Sequence, residues 1–340
     1  MKVISILNQK GGCGKTTTAV NLAYALNKQG YKTLLIDLDP QAHTTFSLGI
    51  AHVLGIPDLL ENYLDSHCTG LDQFLTQRDQ NLFVITSSIG LSALEHKFSL
   101  REDKLFVLYK LLNRYASEYE YCIVDCPPNL GVLTLNAYFA SNYVVVPLTN
   151  CDFSLKGMET LNQIIDMTQD LSPTAPAIYY LFTQYDKRFR YSVNFLDKIK
   201  ILLGENLLKT IIRTNISMRE AAANGQTIFE YKPYARGAQD YMLLAGEIAE
   251  ITKDQKWARF VLKGKNYKKV YVVGDFNQWQ KSETFKLKKL DSDTWCINLP
   301  LRKGKYSYKF CADETWCTDP FNTFEEDDSF GGKNSILHIE

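Results

Sequence analysis

No apolar run in this 340-residue sequence approaches the ~18–20 residues that a membrane-crossing helix needs, so no membrane partner is expected. A secretory leader is not expected either, because the chain starts straight into the strand-like "MKVISIL". Neither sign of charge is in excess. With 38 basic and 38 acidic side chains the formal net charge is +0, and any hold on nucleic acid must come from a local patch. The eight cysteines (13, 68, 122, 126, 151, 296, 311 and 317) include no CxxC pair, which argues against structural zinc and for free thiols in a cytosolic protein. Internal repeats, low-complexity tracts and a Gly/Ser/Pro linker are also missing.

What the sequence does contain changes texture near residue 255. Before it, β-branched runs ("KVISIL", "KTLLIDLD", "LFVIT", "YCIVDC", "NYVVVPL", "AIYYLFTQ", "TIIRTN") alternate with helix-like stretches such as "GKTTTAVNLAYALNKQG", which ends on Gly30 as a helix should. That pattern predicts an α/β domain over 1–255, a mainly parallel sheet covered by helices on both faces, with ligands at the carboxyl ends of its strands. From 256 to 340, short alternating segments ("WARFVLKG", "KKVYVVGDF", "TFKLKKL", "TWCINLP", "KYSYKFCAD", "SILHIE") joined by Gly, Asn, Asp and Pro predict a small all-β, immunoglobulin-like sandwich. The helix around "AQDYMLLAGEIAEITKD" leads almost directly into it, and "FEEDDSF" reads as a solvated acidic turn.

The chemistry begins at "LNQKGGCGKTTTAVNLAYAL", residues 7–26. A phosphate loop, GxxxxGK[ST], wraps phosphate in backbone N–H groups, and its lysine reaches the terminal oxygens. Gly14, Lys15 and Thr16 fit that pattern, but Gln9 takes the first glycine position and a second lysine, Lys10, precedes Gly11, Gly12 and Cys13. Cys13 falls at a helix N-terminus among phosphate-binding amides, a setting that lowers a thiol pKa.

The pattern KGGxGKT[ST] resembles the ParA/MinD family of P-loop ATPases, and the likeness runs for about 250 residues, through "LLIDLDPQAHTT", "YCIVDCPPNLG", "VVVPLTNCDFSLKGMETL", "FTQYDKR" and "IIRTNISMREAAANGQTIFEY". It implies slow, partner-stimulated hydrolysis of ATP with Mg²⁺. It also implies a sandwich homodimer in which Lys10 reaches the second subunit's nucleotide, as an arginine finger would. By the same likeness Asp39 positions the attacking water, Asp125 holds Mg²⁺ through water, Thr16 ligates it directly and Thr17 bonds the α-phosphate; Pro127 and Pro128 match the following switch. The chain shows neither the extra N-terminal DNA-binding helices of larger plasmid members nor the C-terminal membrane helix of MinD, which favours the partition branch. That branch implies a nucleoid-associated cytoplasmic protein with a ParB-like or adaptor partner, binding DNA without sequence preference through basic side chains. Candidates are Arg188, Arg190, Arg213, Arg219, Lys232 and Arg236, with an adenine pocket as the alternative place for Arg213.

The second half carries its own likeness. "VYVVGDFNQW", "YSYKFCADETWCTDP" and "DDSFGGKNSILHIE" resemble, in order, the glycogen-binding domain of the AMP-activated protein kinase β subunit, within the family 48 carbohydrate-binding modules. The resemblance implies that Trp279 and Trp316 stack on glucose rings, Lys309 and Asn334 bond hydroxyls, and Phe330, where leucine is usual, threads the sugar coil. A sugar's C–H face is apolar, so flat rings cover it while polar neighbours set orientation. Trp295, in the alternating "TWCINL", reads instead as core. Together the two likenesses imply an ATPase that positions a plasmid, a chromosome or an α-glucan particle. The alternative is a glycogen-sensing ATPase switch without DNA. A nitrogenase-reductase type of enzyme is disfavoured, because Cys122 and Cys126 flank Asp125 without a cluster-binding arrangement.

Overall fold

The computed structural model describes every residue except 52, 66–69, 100, 102, 116, 151–157, 159–175, 254–255, 265–266, 283–284, 302–303, 329–330 and 340. The described residues form two compact units: Met1–Ile165 with Pro176–Ala249, and a second that includes Glu250–Glu340. The division falls inside the helix Arg236–Lys253.

In the first unit β1 (Lys2–Ile6), β2 (Thr33–Asp37), β3 (Thr76–Asp79), β4 (Leu82–Ile85), β5 (Tyr121–Asp125), β6 (Tyr143–Leu148), β7 (Ala177–Tyr185) and β8 (Leu207–Arg213) make one sheet in the order β3-β4-β2-β5-β1-β6-β7-β8. All neighbours run parallel except β3 and β4. Strands β2, β5 and β6 are buried at every position, which explains why they read as continuous apolar runs rather than alternating ones. The seven runs read from sequence each hold a strand of this sheet. The eighth, β3, was not anticipated: "TQRD" is a half-exposed edge segment with no apolar periodicity to reveal it. Helix α1 (Lys15–Lys28) follows the phosphate loop and gives way to Gly30, whose φ of +96° lies in the left-handed region that favours glycine.

The second unit is antiparallel throughout. It comprises β9 (Lys256–Lys263), β10 (Val270–Gly274), β11 (Lys288–Lys289), β12 (Thr294–Leu301), β13 (Gly304–Ala312), β14 (Thr315–Cys317), β15 (Glu325–Asp327) and β16 (Lys333–Ile339). One sheet runs β10-β13-β16-β15 with β14 on β13, the other β11-β12-β9. Phe260, Trp295 and Ile297 from one sheet pack with Val272, Tyr308 and Phe310 from the other in a single core, each such side chain contributing about 1.5–3 kcal/mol. Trp295 is core, as its alternation implies, and its indole N–H donates to the Gly264 carbonyl at 3.0 Å. The acidic "FEEDDSF" is not simply a turn. Glu325–Asp327 forms the exposed edge strand β15 against β16, and its row of carboxylates blunts that edge against further pairing.

Candidate nucleotide and carbohydrate sites

Strand β5 lies between β1 and β2, in a register that sets Asp125 beside Ile6 on one side and Asp37 on the other. The loop leaving β1 therefore passes over the carboxylates that end β5 and β2, at the open end of a parallel sheet where such folds hold ligands. Gly12 and Gly14 in that loop have φ of +74° and +92°, and Gly14 opens α1, so the backbone turns into the helix where a side chain would be strained.

Asp125 is fully buried. Its Oδ2 accepts hydrogen bonds from Thr16 Oγ1 and Thr44 Oγ1, both at 2.8 Å, while its Oδ1 is buried without a partner among the described residues. Burial raises the Asp125 carboxyl to about 6, against the lowering effect of the two threonine hydrogen bonds and the Lys15 ammonium. Asp37 is pushed up to about 7, first by burial and then by the charge of Asp125; Thr45 restrains it with its N–H at 2.8 Å and hydroxyl at 2.7 Å. An orphaned buried carboxylate oxygen beside a threonine hydroxyl is a set of hard oxygen donors, and it suits Mg²⁺.

Asp39 stands two residues beyond β2. Its N–H bonds Asp37 Oδ1 at 3.2 Å, its Oδ1 accepts from the Gln41 N–H at 2.9 Å, and the exposed His43 ring comes within 3.8 Å of its Oδ2. Thr17 lies on the first turn of α1. Lys15 is buried, and its ammonium donates to the Lys10 carbonyl at 3.2 Å. Lys10 is half-buried and donates through Nζ to Thr149 Oγ1 at 3.1 Å, so in this chain its charge rests at the tip of β6. The expectation for Cys13 is corrected: the thiol is fully buried, and desolvation raises its pKa in spite of Lys15 and the loop amides. Sequence reasoning missed Asp37, Thr44 and Thr45. The run "DLDPQAHTT" held the signal, since its first Asp ends a buried strand and its paired threonines bond both strand-end carboxylates.

The six basic candidates are not equivalent. Arg190, Arg219, Lys232 and Arg236 are exposed. Arg188 is exposed too but grips Asp186 at 2.6 Å. Arg213 is committed to the buried Asp240: its backbone N–H and guanidinium both bond that carboxylate, the shortest contact being 2.5 Å.

In the second unit Trp279, Lys309, Trp316 and Asn334 line one pocket of about 620 Å³ together with Asp275, Ser307, Asp327 and Asp328. Phe330 lies outside the described residues. Gly274 admits the turn that presents Trp279, because a Cβ there would sit 2.4 Å from the Ser307 carbonyl oxygen. Gln278 and Trp279 then take φ of +55° and +59°, unusual for a bulky ring, and two bonds hold it there: Trp279 N–H to the Gly274 carbonyl at 3.0 Å and indole N–H to Asp275 Oδ1 at 3.1 Å. Trp316 is 46% exposed on β14, with the Lys281 ammonium 5.6 Å from its ring. Lys309 is paired with the largely buried Asp328, whose other oxygen accepts the Gly332 N–H at 2.7 Å. The aspartates of this pocket were missed because acidic residues near turns read as solvated caps.

A family model described as an AAA domain matches residues 1–175, and one described as the glycogen recognition site of AMP-activated protein kinase matches residues 259–340. The chromosome-partitioning ATPase Soj of Treponema pallidum (strain Nichols) is 37% identical over 248 residues, 73% of this chain and 96% of that protein. The sporulation initiation inhibitor protein Soj of Bacillus subtilis (strain 168) is 34% identical over 249 residues, 73% of this chain and 98% of its own length. Among solved structures, cobyrinic acid a,c-diamide synthase from Mycobacterium smegmatis with ADP and magnesium superposes with a TM-score of 0.63 at 27% identity, over 74% of this chain and 96% of that one. A putative plasmid partition protein from Borrelia burgdorferi B31 bound to AMPPNP gives 0.61 at 26%, over 74% and 99%.

Proposed function

Because this chain belongs to the ParA/MinD family of ATPases and is similar to Soj over that whole domain, we propose that it is an ATP-switched dimer that binds non-specific DNA and carries an α-glucan on its C-terminal domain. The convergence of four separately placed residues, Trp279, Lys309, Trp316 and Asn334, on one pocket carries the glucan half of that reading. The ATPase half follows from the family and from the strand-end site.

The chemistry is that of phosphoryl transfer by positioning. Loop amides and the N-terminus of α1 receive the phosphates, and Lys15 faces the terminal oxygens. Thr16 and Asp125 would hold Mg²⁺, which supplies charge neutralisation when bound. Asp39, fixed through Gln41 and Asp37, orients water toward the γ-phosphate. Lys10 exchanges Thr149 for the nucleotide of a second copy, so ATP joins two chains and hydrolysis parts them. Exposed Arg190, Arg219, Lys232 and Arg236 from both chains then contact phosphates along DNA without reading bases.

A DNA-free glucan sensor is the second reading. Arg188 and Arg213 favour it, since both spend their charge on carboxylates of the same chain. One experiment separates the two: fluorescent DNA is mixed with glycogen granules and protein, with and without ATP. Recruitment of DNA to the granules with ATP, lost in Lys10→Ala and in Arg219→Glu with Arg236→Glu, supports the carrier. Protein on granules that never recruits DNA overturns it in favour of the sensor.

A further inference from the structure

The tip of β7 bends away from strand geometry where it meets the phosphate loop. Side chains of consecutive strand residues point to opposite faces, yet Thr183 and Gln184 both reach the same loop. Gln184 has φ of +55°, a left-handed conformation that an L side chain rarely adopts. Thr183 Oγ1 donates to the Cys13 carbonyl at 2.8 Å, and Gln184 Nε2 donates to the Gly12 carbonyl at 2.6 Å. The carbonyl of Gln184 is itself held by Thr214 Oγ1 at 2.9 Å, which fixes the bend from the β8 side.

We propose that Gln184 is a positioning residue of the phosphate loop, a strained clamp that turns the Gly12 carbonyl outward so that the following amide faces the phosphates. In a planar trans peptide the C=O and the next N–H point in opposite directions. Pinning Gly12 O therefore orients the Cys13 N–H, as pinning Cys13 O orients that of Gly14. The Lys10 carbonyl is held as well, by Lys15 Nζ and Cys13 Sγ, each at 3.2 Å, so three carbonyls of the loop are fixed before any nucleotide arrives. Preorganisation of this kind shows in ligand affinity, because an unpinned loop must be ordered on binding. The role concerns the nucleotide site alone and does not depend on DNA or glucan binding.

The strain makes the clamp separable from a merely structural bond. Gln184→Gly deletes the amide and relieves the left-handed backbone; Gln184→Ala deletes the amide and keeps the strain. Affinity for a fluorescent ADP analogue and the melting temperature without nucleotide are measured for the wild type and both variants. Both variants are expected to lose about tenfold in nucleotide affinity, the worth of one hydrogen bond, while Gln184→Gly melts at or above the wild-type temperature and Gln184→Ala melts lower. Wild-type nucleotide affinity in Gln184→Gly would overturn the proposal, and so would affinities that fall only in step with melting temperature.

Discussion

At the candidate nucleotide site Asp37 and Asp125 end buried parallel strands at 0% exposure and Lys15 opens α1 at 8%, whereas in the proposed carbohydrate pocket Trp316 is 46% exposed on a short strand and Trp279 rides a left-handed turn. The first arrangement is dictated by the sheet: register alone puts Asp37 against Asp125, and both stay buried because the strands that carry them are core. The second is dictated locally, by Gly274, Asp275 and the turn they brace, on the rim of a core to which neither Trp279 nor Trp316 belongs. Substitutions in the pocket should therefore change ligand binding and little else, while those at the strand ends should move stability and chemistry together.

The largest expected effect breaks one site and spares the other. Lys15→Ala should cut ATP hydrolysis at least about 100-fold, the usual scale for losing one charge-stabilising donor, and leave glycogen affinity within about twofold. A phosphate-release assay beside a glycogen titration reads both, and a parallel fall in glycogen affinity would contradict the separation. A smaller effect sharpens the pocket. Asp328→Asn releases Lys309 from its fixed partner and should weaken maltoheptaose binding about five- to tenfold in calorimetry, with ATP turnover unchanged.

The smallest effect concerns the strand ends. Asp37 and Asp125 are both raised in the folded, metal-free chain, so between about pH 4 and pH 7 the folded state holds protons that the unfolded state has released. Stability then falls as pH rises through that window, by up to about 1.4 kcal/mol per pH unit for each such proton. Asp37→Asn should flatten the slope in urea melts taken at pH 5, 6 and 7, and an unchanged slope would remove the buried pair as its source.

How much of this was legible in sequence follows from the same contrast. Lys10, Lys15 and Thr16 could be picked out as candidates because a phosphate loop has a fixed pattern of residues, and Asp125 because it ends a continuous apolar run of the kind that a buried parallel strand leaves. Thr149 as the resting partner of Lys10, Gln184 as the partner of Gly12 and Asp240 as the partner of Arg213 were not legible, since each pairing joins residues 27 to 172 positions apart. Strand β3 escaped because edge strands can lack alternation, and β15 because its carboxylates resemble a solvated turn. The burial of Cys13 reversed an argument made from the helix terminus alone, a reminder that desolvation can outweigh a favourable dipole.

The central claim is that one chain joins an ATP switch to an α-glucan grip, and co-sedimentation with glycogen tests it most directly. Wild type should pellet with glycogen, and Trp279→Ala with Trp316→Ala should lose at least about 30-fold in affinity, about 2 kcal/mol for two stacking rings, while folding and ATP hydrolysis persist. Folded wild-type protein that stays in the supernatant, or a double variant that pellets as the wild type does, would contradict it.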